Sequence, residues 1–117
     1  MALFMVMALL TTVANAGREF IIREKPLKAR QLEGVVLGPD HLPVPDLTVS
    51  DCTENWRDVL RAVKTDNNGH FSLPPQSGKM TYFIRFDSIN LQPLGLKVRL
   101  DKKSREHGII AVLENAT

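Results

Sequence analysis

An internal disulfide is excluded at once, because the 117-residue chain has one cysteine, Cys52. A folded domain must then be held by its apolar core, and the one disulfide open to it joins two chains through Cys52. Charge of either sign is in short surplus: the net charge is +2. Nucleic-acid readers of this size carry a dominant basic face, so nucleic acid is not an expected partner. His41, His70 and His107 stand apart, each in a turn or at a strand end. A metal centre needs several converging ligands, so no metal and no cofactor is expected. Asp66-Asn67-Asn68-Gly69 lacks the later Glu of a calcium loop. No serine sits in a G-x-S-x-G elbow, and no nucleophile stands beside a base, so no catalytic residue is assigned and the chain is read as a non-enzyme. Neither a long helical period nor a low-complexity segment is present.

What is present begins at the N-terminus. Ala2 to Leu10 is an unbroken apolar run, and Ala14-Asn15-Ala16 follows before Gly17. The run is too short for a bilayer, which takes about 20 residues. Small residues at Ala14 and Ala16 suit a signal peptidase. The absence of Lys or Arg before the run is irregular for such a segment. Residues 1–16 are read as a secretory signal peptide cut between Ala16 and Gly17. The mature protein is then secreted or periplasmic, with no transmembrane segment after cleavage. Residues 17–31 read as a basic arm, with Phe20-Ile21-Ile22 able to dock as an extra edge strand. Residues 32–117 form the domain.

From Leu32 onward the period is that of strands. Leu32 to Leu37 ends at the turn Gly38-Pro39-Asp40. Pro43 and Pro45 hold the next stretch extended, and Leu47 and Val49 then share a face. Glu54 to Asp58 reads as a loop and Val59 to Thr65 as a strand, because Asp66-Asn67-Asn68-Gly69 is a hairpin turn signal. Phe71 and Leu73 alternate with polar neighbours. Met80, Tyr82, Ile84 and Phe86 share one face, as do Leu96, Val98 and Leu100. Ile109 to Leu113 is continuously apolar and reads as a strand covered on both sides. These are about seven short strands separated by turns, the pattern of an all-β, antiparallel sandwich. Val36, Val49, Phe71, Tyr82, Ile84, Phe86, Leu96, Val98 and Leu100 are expected to point inward. Cys52 has the parity opposite Val49 and is expected to be partly accessible, which permits a Cys52-linked dimer.

Three stretches together resemble a known family: Leu32-x-Gly34-x-Val36, then Pro43-Val44-Pro45-Asp46-Leu47-x-Val49, then Thr65-Asp66-Asn67-Asn68-Gly69-His70-Phe71-x-Leu73. They are similar to the carboxypeptidase regulatory-like domain, with Tyr82 to Phe86 resembling its next strand. Asp46 stands where that family usually has Gly. The resemblance implies a Greek-key sandwich of the transthyretin (prealbumin) or carbohydrate-binding-like type. It also implies a non-catalytic module, of the kind that stands alone in secreted bacterial proteins or beside larger ones. A sister group hydrolyses 5-hydroxyisourate with a C-terminal Tyr-Arg-Gly-Ser. This chain ends Glu114-Asn115-Ala116-Thr117 instead.

The expected function is therefore an exported accessory or binding module, acting through protein–protein contacts at the cell envelope or beyond it. A carbohydrate-binding module is the alternative, with Trp56 and Phe83 as its stacking pair, and a small hydrolase of the same fold is the second. The candidate binding surface comprises Trp56, Arg57, Phe83, Lys102, Lys103 and Arg105. The turn Asp66, Asn67, Asn68 and Gly69 is assigned a structural role. Its Asp66 accepts from turn amides and its Gly69 takes a positive φ.

Overall fold

A computed structural model describes residues 21–116. The signal peptide, its cleavage point at Ala16 and Gly17, and the first residues of the arm lie outside the described residues. The strands are β1 (Ile21–Ala29), β2 (Glu33–Leu37), β3 (Thr48–Cys52), β4 (Val59–Lys64), β5 (His70–Ser72), β6 (Thr81–Asp87), β7 (Leu94–Leu100) and β8 (Ile109–Val112). A 3₁₀ turn, Glu54–Trp56, precedes β4. The chain makes a five-stranded sheet in the order β1-β7-β6-β3-β4 and a three-stranded sheet in the order β5-β2-β8. Their inner faces share one apolar core, in which Val36, Phe71 and Ile109 of the small sheet meet Val49, Tyr82, Phe86 and Val98 of the large one.

The fold is all-β and sandwich-like, with more strands than the seven expected. It is also mixed where a purely antiparallel arrangement was expected: β1 runs parallel to β7 and β2 parallel to β8. Neither pairing is local in sequence, which is why strand periodicity alone does not reveal them. β1 is the edge strand that Phe20-Ile21-Ile22 allowed. Its register shifts between Arg23 and Leu27, the stretch that holds Pro26, because proline has no amide to give to a ladder.

The alternation in β6 works as expected: Tyr82, Ile84 and Phe86 are buried while their neighbours are not. Met80 does not join them and is half exposed, since β6 begins only at Thr81. Leu100 packs against the core from a partly buried position. Gly34 has a packing reason. A Cβ there would overlap the Ile109 carbonyl, so the tight β2–β8 pairing requires glycine at that point.

Asp66 to Gly69 is a tight turn as expected, but not a hairpin within one sheet. β4 belongs to the large sheet and β5 to the small one, so the turn is a corner between layers. Val63 before it and Phe71 after it still meet the same core. The corner is built on Asp66, whose Oδ1 accepts from the amides of Asn68 (2.8 Å) and His70 (2.9 Å). Gly69 has φ +75°.

Candidate functional site

The stacking platform that the alternative, a carbohydrate-binding module, would need from Trp56 and Phe83 is not formed. Asn55 and Trp56 both adopt left-handed backbone, with φ of 63° and 54°. This costs L-residues roughly 1 kcal/mol each. The turn folds the indole back over the outer face of the large sheet, where Trp56 is 6% exposed. Its Nε1 donates to the carbonyls of Ile84 (3.1 Å) and Leu96 (3.3 Å). Phe83 meets the indole edge-on, centroids 5.1 Å apart and planes at 89°, with Lys97 Nζ above its ring at 5.7 Å. The sequence pair is thus brought together, but as a buried T-shaped contact and not as coplanar exposed rings. Arg57 stays exposed beside it.

Cys52 is corrected in the same way. It is fully buried in a second small cluster with Trp56, backed by Ile22 and Phe83. Its parity is opposite to Val49 as read, but the 3₁₀ turn covers that face, and the β3–β4 register shifts between Asp51 and Cys52. Burial pushes the thiol up to about 11, against the opposing pull of Arg85. A disulfide between two copies through Cys52 is therefore set aside.

Lys102, Lys103 and Arg105 are exposed on the turn between β7 and β8. That turn is closed by Asp101, whose Oδ1 accepts from the Lys103 amide at 2.9 Å.

Asp51 is a buried acid that sequence reasoning missed. It is on the inner face of β3 with 0% exposure. Arg61 Nε reaches its Oδ2 at 2.9 Å, and Lys79 Nζ lies 3.9 Å from Oδ1. A buried charge must be paired, and Arg61 stands directly across the β3–β4 ladder from it. Lys79 also lies 4.9 Å from the centre of the Tyr82 ring, and Tyr82 Oη donates to the Lys79 carbonyl at 2.9 Å. This cluster pins the loop before β6 to the end of the core.

The concave surface lies elsewhere, on the outer face of the small sheet. There an open groove of about 730 Å³ is lined by Val35 and Ile110 with Gly34 and Gly108, and reaches Val63 and Phe71 toward the core. Val35 and Ile110 are register partners in adjacent strands, as are Leu37 and Val112. Ile110 is 66% exposed and Val112 37%, so β8 is covered on one face only, contrary to the reading of residues 109–113. Glu33 and His107 bridge at 2.9 Å on the rim. Asp66, Glu106, Lys64 and His70 complete its ionisable groups. Backbone amides, His70 first and then Asn68, hold the Asp66 carboxyl below its ordinary value.

Among the described residues, no group of three or more His, Cys, Asp or Glu side chains is placed to hold a metal ion. No helix among them is long and apolar enough to cross a membrane. Comparison with protein-family models finds no match, and comparison with curated proteins finds none either.

Proposed function

We propose that this chain is an exported, non-catalytic binding module, a sandwich of the carboxypeptidase regulatory-like, transthyretin-related type, and that it binds a protein partner through the outer face of its small sheet. The observation that carries the reading is the groove itself. Val35 and the exposed Ile110 line it together with the charged side chains of Glu33, Lys64, Asp66 and Glu106. Exposed apolar surface of that kind marks interaction sites on small soluble domains. The family resemblance is supported at the level of its motif. Gly34 allows the close approach of Ile109, Asp66 and Gly69 shape the corner, and Phe71 drops into the core beside Phe86, ring centroids 5.6 Å apart.

Two measurements test this. Mature protein from the source cell should begin at Gly17, and intact Met1 on cytosolic protein would overturn the export claim. A photo-crosslinking residue at Val35 or Ile110 should trap the same partner, while one at Leu60, exposed on β4 of the other sheet, should trap none. Equal adducts from all three positions, or none from any, would overturn the binding reading.

A further inference from the structure

Among the described residues β8 is an open sheet edge, and it is the one whose sequence carries the fewest defences. The other three edges in the described residues are each blunted. β1 carries Pro26 and an irregular register. β4 carries Arg61 and Lys64 and a register shift beside Val59. β5 is three residues long. Proline, charge, irregularity and shortness are the devices by which proteins stop an edge from pairing. β8 reads Ile109-Ile110-Ala111-Val112 and has none of the first three.

The direction of its free groups follows from the ladder. The Leu113 amide donates to the Leu37 carbonyl at 2.9 Å. In a parallel pair bonding residues alternate, so Ile109, Ala111 and Leu113 face β2. Ile110 and Val112 turn their N–H and C=O groups outward. Further along, Glu114, of the same parity, accepts from the Gln92 amide at 2.8 Å on that outward side. The free stretch therefore ends where residues 90–92 take over the pairing.

We infer that β8 accepts an extended peptide segment of a partner as an added strand, with aliphatic side chains beside Ile110 and Val112 and Lys or Arg at its flanks. This rests on the binding-module reading and names the mode and the partner's chemistry. Main-chain bonds to the edge supply affinity, and alternate side chains supply specificity. Charge argues for the basic flanks. The groove is lined by Glu33 and Glu106 on the side of β2 and β8, with Asp66 and Lys64 farther off beside β5, although the chain as a whole is at +2. Glu114 stands at one end of the open stretch, and Glu106, next to Arg105, at the other. A second copy of β8 offers no basic residue within its strand, so it is the poorer occupant.

The probe is a synthetic peptide Lys-Val-Thr-Val-Lys, capped at both ends, titrated into isotope-labelled protein and followed by amide NMR. The expected result is saturable shifts centred on Ile110 and Val112, with slowed hydrogen exchange at both. Methylating the peptide's alternate amides should abolish the shifts without any change to the protein. Val112→Pro should do the same, because it deletes an outward amide that no β2 bond uses; its melting curve reports whether it folds, and the methylated peptide decides the matter if it does not. Shifts at Val35 and His70 that survive methylation would show groove binding without strand addition, and would overturn this inference while leaving the module reading intact. Equal binding of a Glu-flanked peptide would overturn the charge argument. Dimerisation of the free protein through Ile110, seen by sedimentation and lost in Ile110→Lys, would make a second copy the occupant. No saturable shift at all would also overturn it, and the photo-crosslinking result then judges the module reading separately.

Discussion

Two glycines with the same backbone twist separate conformational cost from steric cost. Gly69 and Gly78 have φ of +75° and +78°. A Cβ at Gly78 would meet nothing within 4 Å, whereas at Gly69 it would lie 2.8 Å from the Val36 carbonyl and 3.0 Å from Pro43. Gly78→Ala should cost about 1 kcal/mol, the ordinary penalty for a left-handed L-residue. Gly69→Ala should cost at least about 1 kcal/mol more, since the corner must also shift. Urea unfolding of the two variants checks this, and equal midpoints would contradict it. Cys52 offers a second test at this scale. The thiol is buried and its ionisation is pushed up to about 11, so alkylating reagents at pH 8 should leave native protein unmodified and label it at once in denaturant. Labelling of the native protein would place the thiol outside the cluster described.

At the scale of elements, the corner between β4 and β5 should be acid-sensitive. The Asp66 carboxyl is held below its ordinary 3.8 by the His70 and Asn68 amides. A group whose value is lowered by folding contributes stability in full above its unfolded value and loses it as pH falls through the folded one. Asp66→Asn should therefore flatten the decline of melting temperature below about pH 4, and an unchanged acid limb would argue against the role given to this carboxylate. The 3₁₀ turn has its own reporter, because Trp56 is the chain's one tryptophan. Its emission should be blue-shifted and resistant to acrylamide until unfolding. Trp56→Phe should cost roughly 1–3 kcal/mol, with the carbonyls of Ile84 and Leu96 losing their indole donor.

Strand positions and the inward face were legible because a period of two survives in β6 and β7 whatever lies around them. The failures at Cys52 and at residues 109–113 share a cause: each depended on what covers a second face, whereas the parallel pairings were missed because they are distant in sequence. Nothing local says that Trp56 folds over Cys52, since that requires left-handed backbone at Asn55 and Trp56. Nothing in Ile109 to Leu113 says that one face is bare. The groove was illegible for the same reason, its rim being assembled from Glu33, His70 and His107, each on a different strand or turn.

For the whole molecule, the two parallel pairings decide when the protein can exist. β1 aligns Ile21 with Leu94, and β2 aligns Gly34 with Ile109. Each sheet therefore waits for a strand from the last quarter of the chain. Removing residues 109–117 should abolish the cooperative thermal transition, because β2 then loses the neighbour that closes its side of the core; a truncated protein that still melts sharply would contradict this. Topologies dominated by distant contacts fold slowly. A nascent chain leaving the ribosome cannot finish the large sheet until β7 has emerged, or the small one until β8 has, so it spends most of its synthesis as an open thread. That is the form in which a polypeptide can be passed through a narrow channel before it sets.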